Sequence, residues 1–391
     1  MNIEQVPLGQ LLKRSPRYGI NAPAVTLKPG IPTYVRITDI DEFGRFSQGK
    51  KVGVKHPDAA NYKLADGDIV FARTGASVGK SYLYDPRDGE LVYAGFLINF
   101  TPDPERLNPK YLALYVQTKD YWDWVARTSF RSGQPGVNSR EFARLIVPLP
   151  GLHHQRAIAE VFSDVDDLIA TLERLIAKKQ AVKQGMMQQL LTGRTRLPGF
   201  EEEWTEETLG SIAEVRMGQS PTGSSYNTSG LGLPLVQGKA DIHGRTTVDR
   251  TWTWAPTKVC EAGDVLLTVR APVGFTAIAS KRSSLGRGVC GINAGADNQF
   301  LFYALVHREP LWALYEQGST FTAINSNEVK SFIVHWPTSI EERQEITQIL
   351  NDVDKEISLL SARLDKARAV KVGMMQQLLT GRIRLPVEDS V

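Results

Sequence analysis

Part of this chain occurs twice. Residues 183–194 read KQGMMQQLLTGR and residues 371–382 read KVGMMQQLLTGR, an offset of 188. Held without gaps, 153–198 against 341–386 gives 23 identities in 46 positions, where average residue usage would give about three by chance. Such a repeat constrains the fold strongly, because each copy must build the same element and find an equivalent partner. The 391 residues therefore divide into two halves, each a variable region of about 140 residues followed by a matching segment of about 45. The boundaries expected from this are a globular domain over 1–150, a helix over 151–192 and a linker over 193–204. A second globular domain over 205–337, a second helix over 338–381 and a tail over 382–391 complete the chain.

The matching segments have the pattern of long helices. In the first, Ile158, Phe162, Val165, Ile169, Leu172, Ile176, Lys179, Lys183, Met186 and Leu190 are spaced alternately by four and three. The second copy in the same register gives Ile346, Leu350, Val353, Ile357, Leu360, Leu364, Ala367, Lys371, Met374 and Leu378. A sustained 3.5-residue apolar period is the seam of a coiled coil. Acidic residues cluster early (Glu160, Asp164, Asp166; Glu341, Glu342, Glu345) and basic ones late (Lys178, Lys179, Lys183; Arg368, Lys371), an order that suits the helix dipole. Gly193 and Gly381 stand where a left-handed terminating residue belongs, with Pro198 and Pro386 beyond. A helix of roughly 38 residues is about 57 Å long and cannot bury its stripe on a small domain alone. The expected partner is the other copy, antiparallel and related by a pseudo-twofold axis; the alternative is that each helix packs on its own domain. Gly185 and Gly373, inside the helices, point either to close backbone approach at a crossing or to a kink.

The variable regions align in patches. Leu8-Gly9 matches Leu209-Gly210, and 31–46 and 233–246 both have the pattern strand, Gly-containing turn, strand. Asp66-Gly67-Asp68 and Ala262-Gly263-Asp264 each enter an apolar strand that leads to Arg73-Thr74-Gly75 or Arg270-Ala271-Pro272. Helical stretches are expected over 109–127 and 299–316, and each region closes on a polar loop with Asn-Ser (Asn138-Ser139; Asn325-Ser326), a short apolar run and a proline. This is an α+β domain with a small sheet, built twice. A shared framework with divergent loops places recognition in the loops.

Motifs for catalysis fail. Gly75-Ala76-Ser77-Val78-Gly79-Lys80-Ser81 has three residues between its glycines, where a phosphate-wrapping loop needs four. Asn108-Pro109-Lys110-Tyr111 lacks the second proline of an amino-methyltransferase motif and has the form of an ordinary helix start with proline at its first position. His153 and His154 are adjacent and would diverge on a helix. Cys260 and Cys290 have no ligand-spaced partners, and Asp85, Asp88 and Glu90 form a polar turn. Two cysteines exclude a disulfide scaffold. No basic-then-apolar leader and no membrane-length apolar run is present, so a cytoplasmic protein is expected. The first 150 residues carry 20 basic and 15 acidic side chains, and 205–337 carry 11 of each. A basic first half permits nucleic-acid binding without demanding it.

Two diverged globular regions, each followed by a near-identical helix, resemble the specificity (S) subunit of type I restriction–modification systems. The resemblance is carried by the duplicated GMMQQLLTGR, the helix starts HHQRAIAEVFSDVDDLI and EERQEITQILNDVDKEI, and the strand-loop GDIVFARTGASVGK. It covers essentially the whole chain. It implies two target recognition domains with small β-sheets, separated by two long antiparallel coiled-coil helices. Each domain would read one half of an asymmetric, bipartite site in double-stranded DNA. The helices would set the spacer and dock two methyltransferase (M) subunits, with restriction (R) subunits joining the full complex. The chain itself would be non-catalytic and hold no cofactor, while S-adenosylmethionine, ATP and Mg would sit on the partner subunits.

A helix of about 57 Å spans roughly 17 base pairs at about 3.4 Å rise. Phosphate contacts are expected from Lys and Arg, and base readout from Arg, Asn or Gln. The candidate DNA contacts are Arg36, Arg73, Thr74, Lys80, Arg131 and Gln134 in the first domain, and Gln237, Lys239, Arg270, Lys281 and Thr320 in the second. The rival readings are a coiled-coil adaptor that does not bind DNA and a nuclease or methyltransferase fusion.

Overall fold

The structure is a computed structural model and describes residues 3–47, 49, 51–130, 133–312, 323–383 and 385. The chain forms two compact units, Met1–Glu173 with Ala362–Val391, and Arg174–Ser361.

In the first unit, Glu4–Pro7 pairs antiparallel with Ile146–Leu149. A four-stranded sheet runs in the order Arg17–Tyr18, Leu97–Phe100, Ile69–Ala72, Ser81–Leu83, and a second runs Ala24–Thr26, Val52–Val54, Thr33–Val35, Leu91–Tyr93. Ile69–Ala72 is buried on both faces, as a continuous apolar strand must be. Alternate residues divide between two cores. Ile69, Phe71, Ile98 and Phe100 face helices α1 (Pro109–Tyr115), α2 (Lys119–Ser129) and α3 (Ser139–Ala143). Val70, Ala72 and Leu97 join Val35, Tyr82 and Leu91 in the other core.

The single helical stretch expected over 109–127 is two helices. Thr118 Oγ1 accepts from Tyr121 N at 3.4 Å and donates to Tyr115 O at 2.7 Å, so it caps α2 and ends the turn before it. Asn108 Oδ1 accepts from Tyr111 N at 3.1 Å with Pro109 at the first helical position, the ordinary helix start its sequence suggested. Asp85 pairs with Arg87, Asp88 accepts from Tyr82 Oη, and Glu90 pairs with Lys63. The three carboxylates are thus committed to different partners, and the Arg87 hydrogen bond holds Asp85 below its ordinary range despite partial burial.

The second unit repeats this framework. Trp204–Thr208 pairs with Ile333–Pro337, and two larger sheets hold six and five strands. The helices that follow in chain order are α4 (Leu152–Leu190), α5 (Leu209–Ile212), α6 (Asn298–Arg308), α7 (Ser326–Lys330) and α8 (Ile340–Leu378). The Gly-Asp turns are built alike. Asp68 accepts from Ala65 N at 3.0 Å and Asn99 Nδ2 at 2.9 Å, while Asp264 accepts from Glu261 N at 2.9 Å and Asn293 Nδ2 at 2.5 Å. Asn138 and Asn325 each cap a short helix through a reciprocal box with Glu141 or Glu328. Cys260 and Cys290 are buried, which pushes their thiols up to about 11 and about 12.

Both long helices have 39 residues and their pairing is antiparallel in each unit. Asp166 meets Lys371 at 2.7 Å and Glu173 meets Arg368 at 2.7 Å in the first. In the second, Lys179 meets Glu356 at 2.8 Å and Lys183 meets Asp354 at 2.6 Å. The two packing alternatives combine. Ile158 and Phe162, at the start of α4, lie in the core of the domain that precedes it, as Ile346 and Leu350 of α8 do in theirs. The far ends cross over: Met375, Leu378 and Leu379 enter the first core, and Met187, Leu190 and Leu191 enter the second. The duplicated GMMQQLLTGR is therefore the segment that fills equivalent places in two equivalent cores. Gly193 and Gly381 end the helices at φ +68° and +72°, a region that L side chains rarely adopt.

Two expectations are corrected. The first turn of α8 carries Glu341 and Glu342 as expected, but that of α4 carries no acidic residue, and neither helix has a basic residue in its last turn. The dipole acts only over those turns, so Asp166, Asp354, Lys183 and Lys371 owe their placement to the cross-helix ion pairs. A Cβ at Gly185 or Gly373 would meet nothing within 4 Å, so neither glycine serves a close backbone approach.

Candidate nucleic-acid interface

In the first domain, Arg73, Thr74 and Gln134 line one cleft of about 220 Å³ with Val137, Asn138 and Glu141. The strand after the Gly-Asp turn delivers Arg73 there, and its backbone is held on both sides. Arg73 N donates to Phe96 O at 3.0 Å, and Val137 N donates to Arg73 O at 2.9 Å. The guanidinium lies over the Tyr18 ring, 5.1 Å from its centroid. Tyr18 Oη accepts from Ser139 N at 3.2 Å. Burial pushes the Tyr18 phenol up, but the Ser139 hydrogen bonds and the Arg73 charge outweigh it and leave the phenol below its ordinary value. Thr74 Oγ1 donates to Pro135 O at 3.3 Å.

The other first-domain candidates are not in that cleft. Arg36 is clamped to Asp39 by hydrogen bonds of 2.7 and 2.9 Å that close the turn Ile37–Asp39. Those hydrogen bonds raise the Arg36 pKa further. Lys80 Nζ donates to Ile40 O at 3.3 Å, which gives the lysine of the false phosphate loop a structural partner. Arg131 lies outside the described residues.

In the second domain, Lys239 Nζ sits 3.9 Å from the centroid of the Phe275 ring, and Gln237 donates its backbone N to Asp241 at 2.7 Å. Lys281 is paired with Asp249 at 2.8 Å. Arg270 is exposed and its backbone bridges to Ala323; Thr320 lies outside the described residues. Matching backbone hydrogen bonds set the correspondence between domains. Val137 N reaches Arg73 O where Ile324 N reaches Val269 O, and Ala72 N reaches Lys80 O where Thr268 N reaches Phe275 O. Arg73 thus corresponds to Val269, Thr74 to Arg270 and Lys80 to Phe275. The framework is common, and the chemistry placed on it is not.

Sequence reasoning missed the aromatic plates, Tyr18 and Phe275. Neither belongs to a repeat, and the only signal is an arginine-flanked tyrosine in Arg17-Tyr18. Among the described residues no group of three or more His, Cys, Asp or Glu could hold a metal ion, and no helix is long and apolar enough to cross a membrane.

The model of the type I restriction modification DNA specificity domain matches twice, over residues 23–183 and 201–368. The chain is 32% identical over 352 residues to the protein of Methanocaldococcus jannaschii named for the MjaX type I restriction enzyme specificity subunit, covering 85% of this chain and 82% of that one. Among solved structures, the type I restriction–modification S subunit from M. genitalium is similar with a TM-score of 0.65 at 14% identity, over 96% of both chains. A chain from a study of complex assembly and conformational transition of the type I R-M system is similar with a TM-score of 0.60 at 24% identity, over 97% of this chain and 98% of that one. The chain belongs to the family of type I restriction–modification specificity subunits, with two target recognition domains.

Proposed function

We propose that each globular domain reads one half of a split DNA site and that the paired helices fix the spacer between the halves and dock two methyltransferase subunits. The observation that carries this reading is the framework built twice with different side chains at matching positions. Arg73 answers to Val269 and Lys80 to Phe275, so two domains of one shape meet two different base sequences. Phosphates would be met by lysines and arginines free of carboxylate partners, and bases by side chains on the loops.

In this reading the chain performs no chemistry. Methyl transfer to adenine N6 with S-adenosylmethionine, and ATP- and Mg-dependent restriction by R subunits, belong to its partners in the cytoplasm. Mapping N6-methyladenine across the genome in cells with and without the chain tests it. The expected result is loss of one asymmetric split motif with a fixed gap when the chain is removed. A methylation pattern unchanged by removal would leave an adaptor role instead.

A further inference from the structure

We infer that Arg73 reads a guanine in the half-site of the first domain and that Tyr18 is the positioning residue that presents its guanidinium. The inference rests on the reading above that this domain contacts DNA bases. Several other arginines of the first domain are occupied: Arg14 pairs with Asp68, Arg36 with Asp39, Arg45 with Asp166 and Arg87 with Asp85. Arg73 is half-buried and, among the described residues, carries no ion pair with a carboxylate. Its backbone is fixed by Phe96 O and Val137 N, and its side chain is backed by the Tyr18 ring. That ring is itself held, because Ser139 N donates to its hydroxyl.

A guanidinium held over an aromatic ring, 5.1 Å from its centroid, has part of its rotamer freedom already removed, so less remains to be lost on binding. Its fork of N–H donors matches guanine O6 and N7, a bidentate pattern that no other base edge in the major groove offers. The matching position in the second domain is Val269, so the contact belongs to one half-site alone.

The test is genome-wide N6-methyladenine mapping in cells carrying the full chain with its native partner subunits, as wild type, Arg73→Lys, Tyr18→Ala or Tyr18→Phe, with melting temperatures for each. Arg73→Lys keeps the charge and removes the fork. The expected result is a motif with the same gap and an unchanged second half, in which one guanine of the first half loses about ten- to a hundredfold of its discrimination. Tyr18→Ala relaxes the same position to a smaller degree, and Tyr18→Phe, which keeps the ring, restores it. An unrelaxed motif in Arg73→Lys overturns the inference, as does relaxation at a position that is not guanine. General loss of methylation with a lowered melting temperature overturns it in favour of a structural role. A wild-type chain that directs no split motif overturns the functional reading as well, whereas an intact wild-type motif with unaffected variants overturns this inference alone.

Discussion

Glu342 and His154 occupy the same place in the two copies, 188 residues apart, and do opposite things. Glu342 is 1% exposed and accepts from Arg196 Nε at 2.8 Å, Arg196 Nη2 at 2.9 Å and Trp204 Nε1 at 3.0 Å. His154 instead borders an apolar groove of about 400 Å³ with Ile3, Ile158 and Leu378. Removing one partner of a buried, hydrogen-bonded pair leaves the other charge uncompensated. Glu342→Ala is therefore expected to destabilise the second unit by about 3 kcal/mol, at the low end because Arg196 keeps some exposure. Urea denaturation followed by circular dichroism reads this, and a shift of a few tenths of a kcal/mol would show that water replaces the carboxylate. The sequence placed Glu342 among residues serving a helix dipole, and nothing in it showed that an arginine 146 positions earlier would meet it. The grouping of the candidate residues was legible to the same extent. Arg73, Thr74 and Gln134 were chosen from the sequence and share one cleft, but ion pairs such as Lys281 with Asp249 depend on tertiary neighbours that no local pattern encodes.

The long helices were the most legible elements, because a 3.5-residue period and a terminal glycine are properties of the chain itself. Every position of the seam is buried or half-buried in both copies. The order of strands within the sheets was not legible, since pairing is set by partners far away in sequence. Nor was the register of the helix pair, which the structure ties to one interaction made twice: Asp166 with Lys371 and, at the same offset of 188, Asp354 with Lys183. The lysines are only 15% and 20% exposed, so these pairs lie above the usual worth of a surface ion pair, about 0.2–1 kcal/mol. Lys371→Asp places like charges together and is expected to destabilise the first unit by about 1–2 kcal/mol. Adding Asp166→Lys is expected to recover most of that loss, a coupling that a double-mutant cycle of thermal melts measures. Additive effects would mean the pair is incidental to register.

At the scale of the molecule, neither recognition domain is complete within its own stretch of chain. The core built by residues such as Phe71, Ile98 and Phe142 also needs Met375, Leu378 and Leu379, which follow it by more than two hundred residues. The second core takes Met187, Leu190 and Leu191 from the helix that precedes it. Synthesis therefore finishes the second domain before the first, although the first emerges earlier, and the first domain must wait with an open apolar face. Leu379 is fully buried and Leu191 nearly so. Leu379→Ala is expected to cost about 2–5 kcal/mol in the first unit, and Leu191→Ala a similar amount in the second. Hydrogen exchange separates the two, because a cavity weakens protection first where it lies. Leu379→Ala should speed exchange at Phe71 and Ile98 and spare Val265 and Leu267, with Leu191→Ala giving the reverse. A chain ending at residue 361 makes the stronger case. It retains everything the second core uses and lacks the helix end the first core requires. It should protect Val265 and Leu267 as the full chain does, while the amides of Phe71 and Ile98 exchange freely. Equal protection of both domains in that truncated chain would mean the first core closes without its distant contributors.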